Sequence, residues 1–185
     1  MIQTALKEWS VAVDALSRGE TIVLLRKGGI KEEKGRFTAQ AERAVLFPTY
    51  EHQKSELLKP KYQSLVKSVD SGWHPDAIEL KAWAKISDIF LTTDEEKVAA
   101  LADFHIWQSQ LAQERLKWKP KQPLYVMALR VYLLPEPVSI PWQERYRGCR
   151  SWVSLAESLA VDEMLPAISD TEYKAQVADL TALLK

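Results

Sequence analysis

Residue types that bind nucleic acids are concentrated in three short segments of this 185-residue chain. The first segment, Arg26-Lys27-Gly28-Gly29, directly follows an apolar run. Paired glycines let backbone amides approach an anion, and the two cations beside them would suit a phosphate group. The segment lacks the spacing of a P-loop and of a dinucleotide-binding loop, so nucleotide hydrolysis has no support. A plain turn with surface cations would explain the same four residues.

The second segment is FPTYEHQ, from Phe47 to Gln53. An aromatic face such as that of Tyr50 stacks on a base, and side chains such as His52 and Gln53 can hydrogen-bond to its polar edges. We therefore predict that Tyr50, His52 and Gln53 contact a base or a small ligand. The alternative is a tight corner between a strand and a helix, in which His52 and Gln53 are capping partners.

The third segment alternates arginines with aromatic rings. Its members are Trp142, Arg145, Tyr146, Arg147, Arg150 and Trp152. Guanidinium groups bind phosphates, and rings beside them stack on bases. We predict that Arg147 and Arg150 bind phosphate groups on the concave surface that the first two segments share. Structural arginines in a loop held by tryptophans would give the same pattern.

An enzymatic alternative rests on Pro75-Asp76 followed by Glu79-Leu80-Lys81. These residues are similar to elements of metal-dependent nucleases, in which the carboxylates bind Mg²⁺ and the lysine polarises the attacking water. In such nucleases the two elements usually sit further apart, whereas only two residues separate Asp76 from Glu79. An alternating strand would explain Glu79 and Lys81 without any chemistry.

The sequence predicts neither a metal site nor a cofactor. His52, His74, His105 and Cys149 have no metal-ligand spacing among themselves. No nucleophile, base and orienting acid fall in a recognisable arrangement. We therefore expect a non-catalytic module that binds a nucleic acid or a nucleotide. A protein-interaction module with no small ligand is the remaining alternative.

Composition sets the outer limits of these predictions. A hydrophobic fraction of 46% and a charged fraction of 27% are typical of a globular protein, and the length fits a single domain over residues 1–185. The net charge of zero argues against gross electrostatic capture of nucleic acid, although the charge is not evenly spread along the chain. The single cysteine favours a cytoplasmic protein, and no apolar run is long enough to cross a membrane.

The hydrophobic pattern predicts an α+β fold with a mixed or mostly antiparallel sheet. Stretches rich in β-branched or alternating apolar residues predict strands at 21–26, 43–47, 78–86 and 124–134. Apolar residues at helical spacing predict an N-terminal helix, a long middle helix and a C-terminal helix at 4–18, 94–117 and 170–184. Capping-box patterns open the last two helices, with Thr93 and Glu96 in the first and Ser169 and Glu172 in the second. We expect the second strand to return beside the first, as a hairpin or meander.

The segments LRKGGI and FPTYEHQ, with PLYVMALRVYLL and GCRSWVSL further along, give the chain a family resemblance. It resembles the bacterial family called domain of unknown function 1802 over almost its whole length. Some members are linked with a restriction-endonuclease domain, so the resemblance implies a connection with restriction and modification of DNA. This chain has no room for that additional domain.

A second resemblance covers Ala15 to Ile22 and continues into Leu25-Arg26. This stretch is similar to the helix and strand that open the ASCH branch of the PUA-like folds. That resemblance implies a small β-barrel that binds RNA or modified bases, and it is a statement about architecture before function.

Overall fold

The computed structural model describes residues 1–27, 30–33, 36–118, 122–148, 150–161 and 165–185. The strands in these ranges are β1 (Ile2–Trp9), β2 (Val23–Arg26), β3 (Ile30–Glu33), β4 (Arg36–Ala39), β5 (Arg43–Thr49), β6 (Ala77–Thr92), β7 (Leu124–Pro141), β8 (Trp152–Leu159) and β9 (Leu165–Pro166). The α-helices are α1 (Ser10–Ser17), α2 (Pro60–Gln63), α3 (Glu95–Ala100), α4 (Ser109–Lys117) and α5 (Asp170–Leu184). Short 3-10 helices cover Ser55–Leu57, Leu101–Phe104 and Glu144–Tyr146.

Seven of the strands form one mixed sheet. Its order is β2-β7-β6-β5-β1-β8, with β9 paired to β7, while β3 and β4 form a separate hairpin. β1 and β5 run parallel, and the other pairs are antiparallel. The predicted α+β fold with a mixed sheet is therefore confirmed. Within the described residues β2 and β8 do not pair with each other, so the strands do not close into a barrel.

The sheet separates two hydrophobic cores. Successive side chains of a strand point to opposite faces, so neighbouring residues enter different cores. Leu6 of β1 and Leu46 of β5 join the larger core, which lies under the helices. Ala5 and Val45, one position earlier on the same strands, join the smaller core. No α-helix of the described residues contributes to that smaller core, whose members lie mostly on strands.

The two longest strands, β6 and β7, form the central hairpin of the sheet. Their pairing continues past the predicted strand of residues 124–134 and includes the proline-rich stretch that follows. Leu80 pairs with Val138, but Ala82 pairs with Leu133, so residues 134–137 of β7 form a bulge. Proline has no N–H for a ladder hydrogen bond, and Pro135 and Pro137 therefore sit where the ladder is interrupted.

The predicted N-terminal helix at 4–18 is wrong in its first half. Residues Ile2–Trp9 form β1, and α1 begins at Ser10. Leu6 and Trp9 fit a helical period, but β1 is buried on both faces, so its apolar residues need not alternate. A pattern of this kind does not distinguish a buried strand from a helix.

The predicted hairpin between residues 21–26 and 43–47 is also wrong. β2 pairs with β7, and β7 and β6 lie between β2 and β5 in the sheet. β3 and β4 occupy the intervening chain as a hairpin of their own. Adjacent strands in a sequence often pair, but here the apolar β7 is the partner of β2.

The long helix predicted at 94–117 is broken into α3 and α4. The break occurs because Ile106 and Trp107 turn into the core and are only 2% and 1% exposed. The backbone there pairs with the segment before α2: Lys59 N donates to Ile106 O at 2.9 Å, and Gln108 N donates to Leu57 O at 2.9 Å. The cap of α3 is Asp94, whose side chain accepts from Glu96 N at 2.8 Å, one residue later than the predicted Thr93.

The C-terminal helix α5 matches its prediction, including the capping box of Ser169 and Glu172. It is held to the sheet by Arg130 of β7, which is 5% exposed. The Arg130 Nη2 lies 2.6 Å from Asp170 Oδ1, and the guanidinium carbon lies 5.0 Å from the centre of the Tyr173 ring. In the described ranges, no helix combines the length and apolar character that a bilayer crossing needs.

His105 is buried in the break between α3 and α4. Burial lowers its pKa to about 4, and the positive charge of Lys59 adds to this effect. Its Nδ1 accepts from Trp107 N at 3.2 Å, while its buried Nε2 has no hydrogen-bond partner among the described residues. The folded protein therefore keeps this imidazole neutral at pH values where the unfolded chain protonates it.

We predict that His105 makes the protein less stable in mild acid. Protonation of His105 in the unfolded chain has little effect on the free energy of unfolding above the unfolded pKa near 6.5. As the pH falls from there towards 4, the unfolded chain takes up this proton and the free energy of unfolding decreases. Between pH 7 and pH 5, the free energy of unfolding should fall by about 2 kcal/mol more in the wild type than in His105→Asn. Denaturant titrations at both pH values measure this difference. His74→Asn, which replaces an exposed histidine, is the matched control, and equal pH dependence in all three proteins would contradict the prediction.

Candidate nucleic-acid interface

A single cavity of about 490 Å³ is lined by residues from all three predicted segments. Arg26, Tyr50, His52, Arg147 and Arg150 all lie on its wall. Arg26 is at the end of β2, Tyr50 and His52 follow β5, and the other two arginines belong to the loop before β8. The fold therefore brings together residues that are as much as 124 positions apart.

Two of the predicted site residues serve the fold instead. Lys27 is buried, and its Nζ donates a hydrogen bond to the backbone oxygen of Gln122. Gln53 lies beside the start of α1, where its Oε1 accepts from Ser10 Oγ at 3.2 Å and Val11 N at 3.4 Å. Gly28 and Gly29, predicted to contact an anion, lie outside the described residues.

The most buried polar part of the cavity wall, which we call the floor, consists of Glu8, Arg26 and Arg115. The Arg26 Nη2 lies 3.0 Å from Glu8 Oε2, and these side chains are only 16% and 6% exposed. Arg26 Nη2 also donates to Lys7 O at 2.8 Å, and Nη1 donates to Ser151 Oγ at 3.4 Å. Arg26 thus connects β2 to β1, although β7, β6 and β5 lie between these two strands in the sheet.

Arg115 reaches the floor from α4. Its Nη1 donates to Leu25 O at 2.7 Å, and its guanidinium carbon lies 5.1 Å from the centre of the Trp107 ring. Burial lowers the pKa of Arg115, as does the positive charge of Arg26, while the charge of Glu8 opposes that change. Arginine nevertheless stays protonated in proteins, so the floor has two cations and one carboxylate.

Arg147 and Arg150 lie on the loop before β8, which we call the cationic loop, and the exposed part of the cavity wall to which they belong is its rim. This loop is fixed to β1 by Lys7. The Lys7 Nζ donates to Tyr146 O at 2.6 Å and to Gly148 O at 2.8 Å. Gly148 has a φ of 88°, a left-handed conformation that favours glycine. The ring of Tyr146 is buried 5.3 Å from Phe47, and its hydroxyl oxygen accepts from Ala156 N at 3.0 Å. Arg147 and Arg150 are therefore exposed side chains on an anchored backbone.

Aromatic rings also line the cavity. Tyr50 meets Trp73 edge to face at 5.8 Å between ring centres, and His74 stacks on Trp142 at 3.5 Å with the ring planes 2° apart. The corner after β5 is tied to this region because Glu51 Oε1 accepts from Gly72 N at 2.5 Å. Burial raises the pKa of Tyr50, and the charges of Asp14 and Glu79 raise it further, so its hydroxyl remains neutral.

The predictions from sequence missed several residues of the cavity. Lys7, Glu8 and Trp9 were assigned to a helix, although they belong to the end of β1. Arg115 was hidden in the predicted long helix, and only the break before α4 directs it to the floor. The one available signal was the unusual density of tryptophans, of which the chain has seven.

The residues of the nuclease alternative lie on the protein surface. Asp76, Glu79 and Lys81 are exposed, and Lys81 Nζ lies 3.9 Å from Asp14 Oδ1 in a pair that is about half exposed on each side. Among the described residues, no group of three or more His, Cys, Asp or Glu side chains is arranged to hold a metal ion. The alternating pattern of β6 accounts for the outward direction of Glu79 and Lys81.

We predict that Lys7 determines how rigid the cationic loop is. Lys7→Met removes two hydrogen bonds from a charged donor to Tyr146 O and Gly148 O, each of which contributes about 1.5–3 kcal/mol. Amide hydrogen exchange at Arg147 and Arg150 should then become faster by roughly tenfold or more. Lys59→Met is the matched control, because Lys59 Nζ donates to Ala102 O at 2.5 Å away from the cavity. Unchanged exchange in Lys7→Met would show that other contacts fix the loop.

Three solved structures from Zymomonas mobilis resemble the chain. The ASCH protein has a TM-score of 0.49 and 11% sequence identity, and the alignment covers 96% of this chain and 94% of that one. Two mutant forms of the same protein also have TM-scores of 0.49, with identities of 10% and 12%. The alignments with them cover 96% and 97% of this chain and 94% and 99% of theirs.

None of the curated proteins compared with this chain matches it. One family model does match, over residues 5–179, and those residues include the large sheet except the first three residues of β1, together with the residues of the cavity. The chain therefore belongs to the family described as Domain of unknown function (DUF1802).

Proposed function

We propose that the cavity binds a nucleic acid or a nucleotide without catalysing a reaction. The observation that carries the proposal is the composition of its wall. Among the described residues, five cations and two carboxylates line the cavity, together with several aromatic rings. In a protein with no net charge, this local excess of positive charge marks one site for an anion. Rings beside the cations provide surfaces on which a base can stack.

The phosphate contacts are assigned to Arg147 and Arg150 at the rim. Arg147 Nη1 lies 3.1 Å from Glu144 Oε1, but both side chains are more than 60% exposed. Exposed ion pairs of this kind contribute little to stability, so a phosphate can replace Glu144 at low cost. Arginine suits this contact because its planar guanidinium binds phosphate through two parallel hydrogen bonds.

The base contact is assigned to Tyr50, beside the edge of Trp73. Tyr50 is partly buried and Trp73 is 43% exposed, so a flat ligand can reach both rings. The stacked pair of His74 and Trp142 forms a second flat surface on the same cavity. Stacking is tolerant of base identity, because every base has an aromatic face.

Cavity size favours a nucleotide or a single strand over a duplex. A cavity of about 490 Å³ is in the range of small-ligand sites and can hold one nucleotide. Bases in a duplex are stacked and paired, and they reach such a cavity only after leaving the helix at a cost of a few kcal/mol. Single-stranded bases are already available for stacking.

Three further predictions accompany this proposal. A cytoplasmic location rests on the single cysteine. A connection with restriction and modification of DNA, and a bacterial source, rest on the family resemblance. A protein partner is the alternative occupant of the same surface, and it becomes the preferred one if no nucleic acid or nucleotide binds.

We predict that binding of single-stranded RNA or DNA weakens as salt rises and that Arg147 and Arg150 account for part of this dependence. For a single strand, the slope of log affinity against log salt is about −0.7 per phosphate contacted. If each arginine contacts one phosphate, the Arg147→Ala, Arg150→Ala double variant should have a slope that is less negative by about 1.4. Fluorescence anisotropy over a range of salt concentrations measures both slopes.

Arg145→Ala is the matched control for the double variant. Arg145 is an exposed arginine of the same loop, but it does not line the cavity. Its replacement should leave the slope unchanged. Equal slopes in all three proteins would show that the rim arginines do not contact phosphates of the bound strand. No binding of any RNA, DNA or nucleotide at low salt would overturn the proposed function and favour a protein-interaction role.

We predict that Tyr50 contributes through its ring and not through its hydroxyl. Tyr50→Ala should weaken binding of a single strand by roughly 1–3 kcal/mol, the range measured for bases stacked on aromatic side chains. Tyr50→Phe keeps the ring and should bind like the wild type. Isothermal titration calorimetry with one oligonucleotide gives both values. A larger loss in Tyr50→Phe than in Tyr50→Ala is incompatible with stacking.

A further inference from the structure

The floor of the cavity has more positive charge than its own carboxylate can balance. Arg26 and Arg115 share the single carboxylate of Glu8. Lys7 lines the same cavity, although its Nζ is bonded to two loop carbonyls. A buried cation without a full counter-charge is costly. An anion that enters the cavity would remove this cost.

The hydrogen-bonding groups of the floor are also incompletely satisfied by the protein. A guanidinium has five N–H donors, and the contact of Arg115 with Leu25 O uses one of them. The buried Nε of Arg26 has no hydrogen-bond partner among the described residues. Polar groups with little exposure are normally paired, so the remaining donors of Arg115, which lines the cavity, favour an acceptor that comes from outside the chain.

The cations of the cavity occupy two levels. Arg147 at the rim has an exposed side chain, at 62%, whereas the Arg26 side chain at the floor is 16% exposed. A phosphate within a strand has chain on both sides, and it can pass along the exposed rim. A group with chain on one side can reach the less exposed floor end-on.

We propose that the floor binds the terminal phosphate of a nucleotide, whose base then stacks on the rings of the rim. This inference rests on the proposed function, which it makes more specific. A terminal phosphate has a charge of about −1.5 to −2 near neutral pH and several strong acceptor oxygens, so it offsets the surplus charge and accepts from both arginines. An uncharged base at the floor could accept hydrogen bonds from arginine, but it would not offset the surplus charge. The terminal phosphate can belong to a free mononucleotide or to the end of a strand.

The test compares ligands that differ only in that phosphate. The probes are adenosine monophosphate and adenosine, a short single-stranded RNA with a terminal phosphate and the same RNA with a terminal hydroxyl, and inorganic phosphate. Binding by the wild-type protein is measured by isothermal titration calorimetry. The terminal phosphate should tighten binding by about tenfold or more in at least one of the two pairs, because charge-assisted hydrogen bonds form at the floor. The pair with the larger effect tells whether the source is a mononucleotide or a strand end.

Removing a positive charge and removing the negative charge of the floor should change the preference for the phosphorylated ligand in opposite directions. Arg115→Gln should reduce the preference for the phosphorylated ligand by about tenfold, and Arg115→Lys, which keeps the charge, should restore part of it. Glu8→Gln removes the only carboxylate of the floor and should increase that preference by roughly tenfold. Arg145→Gln, outside the cavity, is the neutral control. Circular dichroism and thermal unfolding verify that each variant is folded.

The outcomes separate this inference from the proposed function. Equal affinity for phosphorylated and unphosphorylated ligands overturns the floor assignment but leaves the proposed function standing. Inorganic phosphate binding as tightly as the nucleotide would overturn the assignment of the base to the rim. If Glu8→Gln and Arg115→Gln reduce the preference for the phosphorylated ligand equally, the floor has only a structural role. That result would also overturn the inference. Failure of every probe to bind overturns the proposed function itself.

Discussion

The buried ion pair between Arg26 and Glu8 is the interaction on which the cavity depends. It joins the end of β2 to the end of β1, two strands that do not pair in the sheet. Removing one partner of such a pair leaves the other charged and buried, which typically costs 3–5 kcal/mol. At the cavity, side chains and not a backbone ladder connect these two strands. A site of charged groups is thus a direct result of where the pairing of strands stops.

The same separation explains why the cavity wall comes from distant parts of the chain. β1 supplies Glu8, β2 supplies Arg26 and α4 supplies Arg115, and none of these elements is paired with another in the large sheet. The rim is built differently, because its cations and rings lie on loops anchored by single side chains such as Lys7 and Glu51. A rigid scaffold with adaptable loops at one edge is a common basis for ligand sites.

Local signals predicted much of the fold, and long-range contacts explain what they missed. The strands near residues 43–47, 78–86 and 124–134 and the helix at 170–184 are specified by their own composition and caps. The parallel pairing of β1 with β5 has no local signal, and neither does the break at Ile106 and Trp107. For the cavity, clusters of arginine and aromatic residues identified the rim. The floor remained hidden, because Glu8 and Arg115 meet only after β1 and α4 are placed by residues far from them in sequence.

The pairing of β1 with β8 has a consequence for how the protein folds during synthesis. Ile2 pairs with Leu159, so one edge of β1 has no partner until nearly the whole sheet has been translated. At ribosomal rates of roughly 5–20 residues per second, this interval lasts on the order of ten seconds, far longer than the microseconds in which a helix forms. Until β8 is made, that edge of β1 has unpaired backbone N–H and C=O groups, which can pair with the strand of another chain.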